Sequence, residues 1–184
     1  MAEFTPTDAA RTALGSVRTL VVPTDADDEG YTRARHAALQ LATAQDHPVR
    51  VVLHDRSDER WTDTPHPEGP LDAAAVADGE RTHLVEQMRP FIEAGVDVAA
   101  WYCSVPALTA IITPVQDLGA EAVLVPESPE KPRVMDRLQP GSDAGEQIGR
   151  VLDQNLERTV YVFIVKDDGQ IEVLATIDRT ERPD

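Results

Sequence analysis

The chain has 184 residues, 41% hydrophobic but only 4% aromatic, with 33 acidic against 17 basic side chains and a formal net charge of −16. That size suits one α/β domain with a core of Val, Leu, Ile and Ala. So acidic a chain repels nucleic-acid phosphate, and no basic stripe offsets the repulsion, so nucleic-acid binding is not expected. No run of ~18 apolar residues and no signal-like N-terminal pattern occurs, so neither a membrane span nor secretion is expected. Cys103 is the only cysteine, which rules out an intramolecular disulfide. Within AAWYCS it reads as a small buried hydrophobe rather than a nucleophile. A soluble, cytoplasmic protein is expected. Lys131 and Lys166 are the only lysines, a bias that fits a salt-rich cytoplasm and GC-rich codon usage equally.

Residues 1–16 read as a polar lead-in to a domain spanning 17–178. TLVVPTD, Thr19 to Asp25, is a β-branched run ending on a carboxylate, and it predicts a buried first strand. Asp27 or Asp28 can cap a helix from near Tyr31, whose apolar stripe is Ala34, Ala38, Leu41 and Ala42. VRVVLHD, Val49 to Asp55, repeats the pattern as a second strand. Strand, four turns of helix and strand make a βαβ unit with parallel strands. Ligands of open α/β sheets bind at the carboxyl ends of the strands, which puts Pro23, Thr24, Asp25 and Asp55 where a small molecule would sit.

Residues 56–80 read as a variable insertion, and the Asp- and Pro-rich RSDERWTDTPHPEGP within it as a surface decoration. A helix is expected from after Asp72 to Glu93, with Leu84, Met88, Phe91 and Ile92 facing inward and its continuity in question at Gly79 and Pro90. Gly95 stops it, and Val96 to Cys103 predicts a third strand. Val105-Pro106 opens a third helix marked by Leu108, Ile111, Ile112, Val115 and Leu118, which Pro114 would bend. Gly119 closes that helix, and a fourth strand follows from Ala122 to Val125. After a polar, Pro-rich loop, Asp143-x-x-Glu146 is a capping box for a helix carrying Ile148, Val151, Leu152 and Leu156. TVYVFIV predicts a fifth strand. Asp168-Gly169 forms a tight turn into IEVLATI as an antiparallel partner, and residues 179–184 form a charged tail.

This order of pieces resembles the universal stress protein family. The resemblance rests on VVPTD, the Ala-rich helix, VRVVLHD, EAGVDV, the SVP turn and LGAEAVLVPES. It implies a single open five-stranded parallel sheet, Rossmann-like, with helices on both faces, here extended by the C-terminal antiparallel strand. Members of that family are usually dimeric, and its nucleotide-binding members hold ATP or AMP at the strand ends. By resemblance Pro23, Thr24 and Asp25 match its first-strand contact and Asp55 lies near its second. Asp25 and the Val125–Pro126 strand end would bracket an adenine ring, and Gly141-Ser142 would offer N–H groups to phosphate.

The phosphate loop departs from the family pattern, because no glycine precedes Gly141 between Val125 and Ser142. A phosphate cradle needs inward-pointing backbone N–H groups, and Pro126, Pro129, Pro132 and Pro140 have none. Each missing bond to a charged partner removes about 1.5–3 kcal/mol. Glu127 and Glu130 add like charge, which Lys131, Arg133 and Arg137 balance without dominating. The expectation is a dimeric stress-associated regulatory or binding module without catalysis, cofactor or tight ATP binding. The competing expectation is an ATP- or AMP-binding member, with Mg²⁺, a reshaped loop and at most weak hydrolysis.

A phosphoacceptor receiver is disfavoured by order, since Asp55 follows the second strand and Ser104 the third. No GxSxG, P-loop or GxGxxG motif is present. His54 reads as a packing residue, His66 as solvent-facing, and Asp25, Asp27 and Asp28 as a solvated face rather than a cation site. TVYVFIV is apolar on both faces and must be covered. A homodimer is therefore expected through strand 160–165 and the C-terminal strand, with an unknown protein partner also open.

Overall fold

The β-branched runs pair side by side in the computed structural model, which describes residues 3–24, 29–55, 68–79, 81–102, 108–127, 144–156 and 159–177. The strands are β1 (Thr5–Pro6), β2 (Thr19–Thr24), β3 (Arg50–Asp55), β4 (Glu68–Leu71), β5 (Val98–Tyr102), β6 (Ala122–Pro126), β7 (Val160–Val165) and β8 (Gln170–Ile177). The helices are α1 (Asp8–Leu14), α2 (Glu29–Ala44), α3 (Ala73–Asp78), α4 (Thr82–Glu93), α5 (Ile112–Asp117) and α6 (Ala144–Asn155), with a 3₁₀ turn at Leu108–Ile111 before α5.

One sheet runs in the order β1-β8-β7-β6-β2-β3-β5-β4. β2, β3, β5, β6 and β7 are mutually parallel neighbours. β8 lies antiparallel to β7, as its turn chemistry predicts. The sheet is nevertheless eight-stranded and mixed, which corrects the expected five-stranded parallel sheet. β4 pairs antiparallel with β5, and β1 pairs parallel with β8. Neither could be read from pattern. β4 is Glu-Gly-Pro-Leu, a turn-like composition, and β1 is two residues, too short to show alternation.

Alternation along the strands sorts side chains into two layers. Leu20, Val22, Val51, Leu53, Ala122, Leu124, Phe163 and Val165 face α1, α2 and α4. Val21, Val52, Trp101, Val123, Val125, Val162 and Ile164 face α5, α6 and the 3₁₀ turn. Ala34, Ala37 and Ala38 are fully buried, so α2 lies close on the sheet. The predicted helix over 72–93 is two helices, capped at Asp72 and broken at Gly79. Leu84, Met88 and Phe91 are buried as expected, but Ile92 is 49% exposed, because it sits one residue past the inward stripe. Pro114 is the third residue of α5, where its missing N–H costs the helix nothing.

The segment read as a lead-in is part of the fold. Phe4 is buried, with its N–H donating to Gln40 Oε1 at 3.0 Å and its carbonyl accepting from Gln40 Nε2 at 2.6 Å. Thr7 caps α1, which buries Ala10, Ala13 and Leu14. β7 has β6 on one edge and β8 on the other, so the expected dimer contact through strand 160–165 has no edge left to use. Asp25, Asp27, Asp28, His66, Cys103, Val105, Pro106, Gly141, Ser142, Asp143 and the tail lie outside the described residues. Among the described residues no helix is long and apolar enough to cross a membrane.

Candidate functional site

The chain reverses direction across the sheet between β2 and β6. β2 leads through α2 to β3 on one side, and β6 leads through α6 to β7 on the other. Such a switch point opens a crevice at the carboxyl ends of the strands. β2 and β6 are paired at Leu20–Ala122 and Val21–Val123, so Pro23, Thr24, Val125 and Pro126 come together at that end, all buried.

The structure then divides the predicted residues between the two layers. Pro23 stands beside His54, and Thr24 beside Asp55, in the β2–β3 register. By alternation Pro23, His54 and Val125 face the α5–α6 layer. Thr24 and Asp55 face the α2–α4 layer, and both are engaged there. Asp55, with its side chain fully buried, accepts from His83 Nε2 at 3.2 Å. Thr24 Oγ1 donates to Gln87 Oε1 at 2.8 Å and accepts from Arg35 Nη1. Arg35 Nη2 donates in turn to Thr32 Oγ1 at 2.8 Å. Next to Asp55 in the β3–β5 register, Tyr102 carries the Arg81 guanidinium 3.5 Å from its ring centroid. Arg81 is half-buried, and a partly solvated cation over an aromatic face adds about 0.5–1 kcal/mol.

Thr24 and Asp55 therefore tie α2 and α4 to the sheet. His83, Gln87 and Arg35 were not singled out from sequence. The signal available was the spacing of His83 and Gln87, four apart and hence on one helical face.

At the other side of the crevice, Glu127 follows β6 directly. Its N–H donates to Val165 O at 2.9 Å. Its carboxylate takes Lys166 Nζ at 2.9 Å and the Asp167 N–H at 3.1 Å. The Lys166 hydrogen bond, followed by that of the Asp167 N–H, holds the Glu127 carboxyl below its usual pKa of 4.5. The same Glu127 bond raises Lys166 above 10.5. Lys166 also lies 3.6 Å from Glu172 of β8, and Asp167 bonds Arg33 of α2. Glu127 is thus tied to β7, to the turn before β8 and, through that turn, to α2. Among the described residues no cluster of His, Cys, Asp and Glu is arranged to hold a metal ion.

No protein-family model and no curated protein sequence matches the chain. Its fold is similar to that of hypothetical protein MJ0577, with a TM-score of 0.52 and 11% identity over 82% of this chain and 96% of that one. A universal stress protein crystallised in complex with cAMP gives 0.47 and 19% over 82% and 97%. A universal stress protein family protein from Arabidopsis thaliana with AMP bound gives 0.43 and 13% over 80% and 90%. The likeness to MJ0577 shows the fold, an open α/β sheet with helices on both faces. At these identities the likeness concerns architecture alone.

Proposed function

We propose that this chain is a non-catalytic binding or regulatory module of the universal-stress type, without tight ATP binding. One observation carries the proposal. Glu127 opens the segment where a phosphate loop would begin, and its N–H is already spent on Val165 O while its carboxylate is held by Lys166. A phosphate would have to displace those bonds and meet a negative charge at the entrance. The prolines that follow have no N–H to offer.

The second reading is adenine-nucleotide binding with a reshaped loop. It draws on the switch-point crevice between β2 and β6, with Pro23, Asp25, Val125, Gly141 and Ser142 as its candidates. Two of the similar structures hold cAMP and AMP, so those nucleotides belong in the test beside ATP and Mg²⁺. Calorimetric titration of the full chain is expected to give no heat of binding at millimolar nucleotide. Micromolar binding that Asp25→Ala abolishes would replace the first reading with the second.

A homodimer, proposed with this function, has the outer edge of β8 to use. Beyond Ile171 that edge pairs with no strand among the described residues, and it presents Leu174 at 36% exposure. A two-fold axis between Leu174 and Ala175 would set Glu172 opposite Ile177, so no like charges face each other. Light scattering that returns the mass of one chain across salt concentrations would remove the dimer.

A further inference from the structure

We propose that the groove between α2 and α4 binds a small amphipathic carboxylate, its head at Arg35, His36 and Gln87 and its apolar body on Leu39, Pro90 and Phe91. The groove has a volume of about 240 Å³ and lies on the sheet face opposite to Pro23 and Val125, apart from the switch-point crevice.

The donor character of its polar end follows from hydrogen-bond bookkeeping. A guanidinium can only donate. The Thr24 hydroxyl therefore accepts from Arg35 and must send its own proton elsewhere, and it reaches Gln87 Oε1 at 2.8 Å. That turns the Gln87 amide oxygen toward Thr24 and leaves its NH₂ as the donor end of the side chain. The Arg35 guanidinium is held by Thr24 and Thr32, which orders it in advance and lowers the entropic cost of engaging a ligand. His36, at the rim, is kept below its ordinary pKa of 6.5 by loss of hydration and then by the Arg35 charge. His36 therefore stands neutral beside the Arg35 charge, which is the cationic group at this end of the groove.

Among the described residues the remaining walls are Leu39, Pro90, Phe91 and Glu86, the last 60% exposed and bonded to Arg89. The space falls below the ~300–1,000 Å³ of pockets for larger ligands. One acidic head and a chain of a few carbons is what it admits. The chain's net charge of −16 does not forbid this, since charges beyond about 10 Å are screened at 0.1 M salt.

The test is a ¹H–¹⁵N NMR titration of the full chain with sodium hexanoate, with hexan-1-ol as neutral control and sodium sulfate as the control without a tail. The expected result is saturable shifts confined to α2 and α4, a Kd near ~1 mM for so few atoms, and a rise in the His36 pKa on saturation. Glu86→Gln should tighten binding about threefold by removing a like charge, and Leu39→Glu should weaken it at least tenfold. Should the Leu39 variant fail to fold, Glu86→Gln and hexan-1-ol still decide. The absence of saturation at about 20 mM, twentyfold above the expected Kd, overturns the proposal. Equal binding of hexan-1-ol, or sulfate alone reproducing every shift, overturns it as well.

Discussion

Replacing Thr24 by Val removes one oxygen and leaves the side chain nearly the same shape, so it isolates the hydroxyl that joins β2, α2 and α4. Two bonds are lost, one to the charged Arg35 and one to Gln87. Charged and neutral bonds of this kind contribute about 1.5–3 and 0.5–1.5 kcal/mol. Arg35 is only half-buried and can recover part of its loss from water, which favours the lower end of the sum, about 2 kcal/mol. For a chain of this length that corresponds to a Tm decrease of roughly 4–8 °C. Thermal and urea unfolding followed by circular dichroism measure it. A double-mutant cycle with Gln87→Leu should show coupling of about 0.5–1 kcal/mol, because the second change then removes a group already without its partner. A melting temperature within a degree of the parent, or strict additivity, would refute the view that Thr24 serves to join these helices to the sheet.

Gly169 has φ of +88°, and a Cβ there would stand 3.0 Å from Glu3 O. Gly169→Ala is expected to cost about 1–3 kcal/mol and to speed hydrogen exchange at Thr5, whose N–H donates to Gly169 O. The Glu127–Lys166 pair fixes two pH limits. The Glu127 carboxyl is depressed in the fold, so its contribution is present above the unfolded value near 4.5 and lost as pH falls through the folded one. Lys166 is raised, so its contribution is complete below 10.5 and lost as pH rises above it. Glu127→Gln should flatten both limbs of the stability–pH curve, and unchanged limbs would sink the assignment.

The five central strands were legible because Val, Leu and Ile runs bounded by Gly, Pro and Asp leave few alternatives to a parallel sheet buried on both faces. The turn at Asp168-Gly169 was legible from its chemistry. β1 and β4 were hidden because they carry no alternation, and their pairing is decided by which edges remain open. Thr24 and Asp55 were placed at the strand ends correctly, but sequence could not say which layer each side chain enters. A shift of one residue in register reverses that outcome. Here Asp55 shares the face of Leu53 and meets His83, while His54 takes the opposite face. The Glu127–Lys166 bond joins residues 39 apart, and no local pattern announces it.

β1 has a single neighbour among the described strands, and that neighbour is β8. A ribosome emits Thr5 and Pro6 before any other described strand, yet their partners Gln170 and Ile171 emerge after all the rest. Until then Phe4 has only the Gln40 side chain to tether its backbone. This margin of the sheet therefore cannot close until β8 has left the ribosome.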